Sequence, residues 1–259
     1  MSDAHAPAHP APPGPATAQV NPGVRTPVPA ADECELLGLV AYGQLAAFTQ
    51  LAGDSRHAED FDTCLQLAHL ASAALAGQED VLDRITALGG DPAARLESFV
   101  GSFDNFVDRT APSTWWEGLL KGYVGFGVAH DFLQVLAQRV DGPSREALDA
   151  ALASFAPDAL AAEQLTAAAA ADEVLGARLA LWGRRLVGEA LGFVNDLLTA
   201  RPALGRVLVA EPVVRGGTPE EGEQGAAPVP VQPPMTTARL FSLLTAEHSR
   251  RMGRIGLTA

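Results

Sequence analysis

Few side chains in this 259-residue chain have the type and spacing to do chemistry. Asp131 stands beside His130 on a long apolar stretch, Gln44 interrupts another, and His57, His69 and His248 lie on separate predicted helices or turns. Only Glu247 adjoins one of them, and neighbouring helix positions face different directions. The chain has no glycine-rich phosphate loop, no Cys-x-x-Cys pair, no Gly-x-Ser-x-Gly elbow and no His-Glu-x-x-His helix, so most enzyme classes lose their usual signature. The chemistry left for a helical protein is a di-metal carboxylate centre. There each of two helices supplies one Glu and each of two others a Glu-x-x-His pair, whose three-residue spacing puts both ligands on one face.

The elements that would position such a site are helical. Ala and Leu dominate, Val, Ile and Thr are sparse, and alternating runs are few, which makes the fold class all-α. Asp32 is expected to cap a helix through Leu36, Val40, Leu45 and Leu51 that stops at Gly53-Asp54. A second helix is expected from Ala58 to Leu88, with Gly89-Gly90 as its stop. Asp91-Pro92 reads as an N-cap and first helical position, opening a short helix toward Phe106. Thr114 and Glu117 have capping-box spacing ahead of a long apolar helix to Val140. Gly142-Pro143-Ser144 restarts a helix to Ala171 with a kink at Pro157, and Asp172 begins another that stops before Pro202. No repeat of fixed period is present, which favours a bundle over a solenoid.

Composition sets the outer limits. The chain is 47% apolar and 19% charged, with 18 Lys plus Arg against 31 Asp plus Glu and a net charge of -13. That balance argues against nucleic acid as partner, because phosphate neutralisation needs clustered cations. Two cysteines, Cys34 and Cys64, form no disulfide framework, and a reducing cytoplasm is the expected compartment. Residues 1–31 carry eight prolines and few large apolar side chains, and read as a disordered tail without a signal peptide. Residues 32–210 form the bundle, 211–234 a Pro/Gly-rich linker, and 235–259 a C-terminal helix expected to dock on the bundle. Leu36 to Gly53 just reaches the ~18 residues of a membrane candidate, but its glutamines and glycines favour a core helix, so no membrane is expected.

Several blocks resemble the bacterial ferritin-like proteins related to the tRNA hydroxylase MiaE. They are Tyr42-Gly43-Gln44-Leu45-Ala46-Ala47-Phe48, Thr110-Ala111-Pro112-Ser113, Glu117 to Gly125, Leu181 to Leu191, and Leu243 to His248 with Arg251-Met252. The resemblance spans residues 33 to 257 apart from the linker. It implies a ferritin-like four-helix bundle with additional C-terminal helices, and in the active hydroxylases a di-iron pair that activates O2. The ligands it implies are largely replaced. Gln44 stands at the acidic position of the first helix, and Ala74 and Gly77 at the Glu-x-x-His of the second. On the third, Phe126 replaces one acid while Asp131 keeps the other. The fourth-helix pair falls near Ser154 and Pro157, with Asp158 and Glu163 close by.

Two ferrous ions bring four positive charges, offset in such centres by about four carboxylates with two His. Gln44, Ala74, Gly77 and Asp131 are therefore vestigial positions rather than an intact metal set. No catalytic residue and no cofactor is expected, and the implied role is a non-catalytic binding or structural module. The alternative is an active di-iron hydroxylase of the tRNA-modifying type. The partner is an unidentified protein or small molecule, and homo-oligomerisation is a further reading. Asp131 is expected to pair with an Arg or a Trp N–H from another helix, Gln44 to hydrogen-bond a neighbour, and Arg184-Arg185 to form a solvated face or pair with Glu189.

Overall fold

A computed structural model describes residues 27–153, 159–213 and 234–259. Among them are eleven helices and no strand. The described residues form an all-α bundle. Its spine is two long helices, α1 (Ala30–Ser55) and α6 (Trp115–Ala137). Against α1 pack α2 (Phe61–Ala74) and α3 (Gln78–Ala87), and α6 is flanked by α8 (Ala159–Ala171) and α9 (Glu173–Ala200). Shorter pieces close the ends: α4 (Pro92–Glu97), α5 (Asp104–Arg109), α7 (Gly142–Ala153) and α10 (Pro202–Val209). The last helix, α11 (Thr237–Arg254), lies across α6 and α9. Leu36, Leu37, Leu120, Leu136, Leu148, Leu186 and Leu244 are fully buried in a continuous core.

Local chemistry sets most boundaries. Asp60, Asp91, Thr114 and Asp172 each accept a backbone N–H of the helix they open, satisfying donors that have no partner within the first turn. Glu117 reaches back as a capping residue does, but accepts from the Ser113 N–H, one residue earlier than the usual box. Asp32 is not the cap of α1. The helix starts at Ala30 after Pro29, and the Asp32 carboxylate accepts two bonds from the Arg206 guanidinium at 2.6 and 2.8 Å.

The expected single helix from Ala58 to Leu88 is two helices. The backbone leaves the helix after Ala74, and Gly77 takes φ +74°, a left-handed conformation that only glycine adopts without strain. The expected helix from Pro92 to Phe106 is likewise divided into α4 and α5, with Gly101 at φ +78° between them. Pro202 does more than stop α9: it opens α10 at the position where its missing N–H costs nothing. Ser154, Pro157 and Asp158, the tail to residue 26 and linker residues 214–233 lie outside the described residues.

By length and composition α1 is apolar enough to cross a membrane. In the bundle it is a core helix, with Leu36, Leu37, Leu39, Val40 and Ala41 buried against its neighbours. Its first turns also carry three acids that tie separate helices to it: Asp32 to Arg206, Glu33 to Arg84 and Ser144, and Glu35 to Arg95 and Arg201. Acids suit this helix end, which carries the positive pole of the dipole.

Candidate functional site

The four positions singled out by sequence are placed by α1, the α2–α3 break and α6. Gln44 is 1% exposed, and its amide Nε2 donates to the Ala76 carbonyl at 3.0 Å. Its Oε1 has no hydrogen-bond partner among the described residues. Gln78 answers from the other side of the break, donating to the Ala41 carbonyl at 2.8 Å. Two amides thus tie α1 to the residues on either side of the interruption. Ala74 is the last residue of α2 and is buried. A Cβ at Gly77 would come within 3.3 Å of the Ala151 backbone nitrogen. A ligand pair three residues apart needs one continuous helix, and here the helix stops between the two positions.

Asp131 lies on α6 facing α11. Its Oδ2 accepts from Arg251 Nη2 at 2.7 Å, with the side chains 17% and 3% exposed. The guanidinium sits directly against Gly127, one turn before Asp131, where even a methyl group would stand 2.2 Å from Nε. Glycine at 127 is what lets the charge in. Tyr123, one turn earlier again, donates its hydroxyl proton to the Arg251 carbonyl at 3.4 Å.

His248, one turn before Arg251, is 1% exposed, and neither ring nitrogen has a hydrogen-bond partner among the described residues. Burial, and secondarily the Arg251 charge, pull its pKa down to about 4. An unfolded histidine titrates near ~6.5. Between those values the unfolded chain binds a proton that the folded chain refuses. The contribution of neutral His248 is therefore complete above about pH 6.5 and declines as pH falls through the window, by at most about 1.4 kcal/mol per pH unit. Urea midpoints at pH 7 and pH 5 check this: the difference between them should shrink in His248→Phe, and an equal difference in both proteins would contradict it.

Beside this cluster, α1, α2, α6, the segment before α6 and Ala161 of α8 line a partly open cavity of about 430 Å3. Its walls are mostly aliphatic and aromatic, among them Leu51, Leu70, Trp115 and Tyr123, and Ala74 and Phe126, two positions at which the resemblance implies ligands, line it. Its polar edge includes Asp54 and His57. Both Asp54 oxygens accept from Gln50 Nε2, at 2.9 and 3.0 Å, and burial pushes the carboxyl pKa up despite those bonds. A smaller, nearly apolar cavity of about 140 Å3 lies next to it, and Gly122 and Phe126 line both. The sequence reading missed the larger cavity. Its one signal was a Gln50–Asp54 pair, four residues apart, near the end of an apolar helix.

Other side chains resolve as structural. Arg185 donates to the Arg109 carbonyl at 2.6 Å and Arg184 to the Thr258 carbonyl at 3.3 Å, while Glu189 pairs with Arg109, so the expected Arg–Glu189 pairing is made by a different arginine. Trp182 Nε1 donates to the Glu117 carbonyl at 3.0 Å, tying α9 to α6. No group of three or more His, Cys, Asp or Glu side chains placed to share a metal ion occurs among the described residues.

A family model described as a ferritin-like domain of actinomycetes matches residues 30–211. No curated protein matches the chain.

Proposed function

The chain belongs to the ferritin-like domain family described for actinomycetes, and from that membership we propose that it is a non-catalytic binding module in which the di-iron centre has been lost. The observation that carries the reading is the Asp131–Arg251 pair. Asp131 is the acid that the sequence comparison retains, and its charge is taken by a guanidinium from α11. A di-iron pair requires about four carboxylates and two imidazoles converging from four helices. The residues at three of those positions supply an amide engaged with a backbone carbonyl, a methyl group and a glycine at a helix break. This donor set does not fit two hard divalent cations.

Kinship with the tRNA-hydroxylating branch rests on the sequence blocks alone, and the replaced donors speak against its chemistry here. Ferritin-like scaffolds host many functions, so the site rather than the fold must indicate the role. What the scaffold offers in place of metal is a partly open, mostly apolar pocket. Ala74 and Gly122 keep it open, and its 430 Å3 lies in the range of cavities that bind small molecules.

Metal analysis of the full chain, produced in iron-supplemented medium and purified without chelator, tests the proposal. The expected iron content is well below one ion per ten chains, with no near-ultraviolet charge-transfer band. Two irons per chain would overturn it.

A further inference from the structure

Asp54 is a partly buried carboxylate with no arginine or lysine within ion-pair distance among the described residues. His57 and Lys121 lend Asp54 some positive field, but neither closes an ion pair with it: Lys121 Nζ lies 3.5 Å from the Val107 carbonyl and 5.7 Å from the centre of the Phe106 ring, and the His57 ring faces the Gly53 carbonyl. Three other carboxylates of the bundle, two of them more deeply buried than Asp54, are paired with arginine: Asp32 with Arg206, Glu35 with Arg95 and Arg201, Asp131 with Arg251. A carboxylate left at the edge of an apolar cavity is costly unless something donates to it. Gln50 supplies one amide nitrogen, shared between both oxygens, and each oxygen retains a further lone pair.

The rest of the cavity defines the other end of an occupant. Leu51, Leu67, Leu70, Leu119 and Phe126 offer hydrocarbon, and the small residues between them set its width. A methyl group added at Gly118 would meet only Pro112, at 3.8 Å, and one at Gly122 only Phe126, at 3.9 Å. Both glycines therefore leave space that larger side chains could occupy without displacing backbone.

We propose that the cavity between α1, α2, α6 and α8 binds a medium-chain aliphatic amine, with its ammonium on the Asp54 carboxylate and its hydrocarbon chain among Leu51, Leu70 and Phe126. This deepens the reading of the chain as a metal-free binding module and rests on it. A cationic head is favoured over a hydroxyl because the charge-assisted bond is the stronger and a desolvated carboxylate gains most from a counter-charge. A fatty acid of equal length would place two carboxylates together and is rejected.

Calorimetric titration of the full, iron-analysed chain with octylamine, octanol and octanoate tests the assignment. Octylamine should bind one per chain, with octanoate weaker by roughly tenfold or more. Asp54→Asn should reduce that preference to about twofold while retaining chain binding, and Gly118→Leu, which fills the cavity, should abolish binding of all three. Octanol or octanoate binding as tightly as octylamine, or octylamine binding unchanged in Gly118→Leu, would overturn it. So would the absence of octylamine binding by a folded, iron-free chain. Stoichiometric iron in the same sample would instead refute the metal-free reading beneath it.

Discussion

Replacing Arg251 by alanine is expected to lower the free energy of unfolding by about 3 kcal/mol, measured by urea denaturation at pH 7. The loss has two parts. Asp131 is 17% exposed, so removing the guanidinium leaves a largely desolvated carboxylate with no counter-charge. The side chain also fills the space over Gly127, and its truncation opens a cavity between α6 and α11. The double variant Arg251→Met with Asp131→Asn separates the two: it removes the charge requirement and restores much of the volume, so it should recover more than half of the loss. Arg251→Lys should not keep full stability, because an ammonium on a flexible stem neither fills the space beside Gly127 nor presents the fixed donors of the planar guanidinium to Asp131. A loss below about 1 kcal/mol in Arg251→Ala would mean that the pair is not the main tie between α6 and α11.

Glu35→Ala should cost a similar amount, about 2–3 kcal/mol, in the first turns of α1. Glu35 is 7% exposed and bridges two arginines, Arg95 from α4 and Arg201 at the α9–α10 junction, the latter at 2.7 Å. Arg201 also lies over the Phe99 ring, 3.9 Å from its centre, and donates to the Ser98 carbonyl. Arg95 packs its stem onto Gly38, where no side chain could be accommodated. Removing the carboxylate leaves two guanidiniums facing one another across its place. Glu35→Gln, which keeps shape but halves the acceptor capacity, should cost less than Glu35→Ala. Equal stability of wild type and Glu35→Ala in urea would show that the three-way contact contributes nothing.

How much of this was legible in the chain follows from the range of each interaction. Asp91, Thr114 and Asp172 act on N–H groups two or three residues away, and their helices begin where the sequence places them, whereas α2 opens at Phe61 behind an Asp60 cap rather than at the expected Ala58. The α2–α3 break was not legible, because the apolar pattern runs through it and one glycine in a helical pattern is usually tolerated. What holds the break is nonlocal: Gln44 lies 32 residues from Ala76, and Gln78 lies 37 from Ala41.

The site divides in the same way. That Gln44, Ala74 and Gly77 stand at ligand positions is what the family resemblance implies; that such side chains are poor iron ligands, and that Asp131 needs a partner, follows from residue type. The identity of that partner does not, since Arg251 is 120 residues away on a helix beyond the proline-rich segment. The cavity was also invisible in sequence, because Asp54, Ala74 and Trp115 converge only when α1, α2 and α6 are assembled.

The central claim is that a guanidinium from α11 takes the charge of the retained acid in this bundle, leaving no place for a pair of iron ions. Crystals grown with excess ferrous iron under anaerobic conditions, measured at the iron absorption edge, test it most directly. The account predicts no anomalous peak between α1, α2, α6 and α8, with Arg251 on Asp131. Two peaks there, with Asp131 turned toward them and away from Arg251, would contradict it.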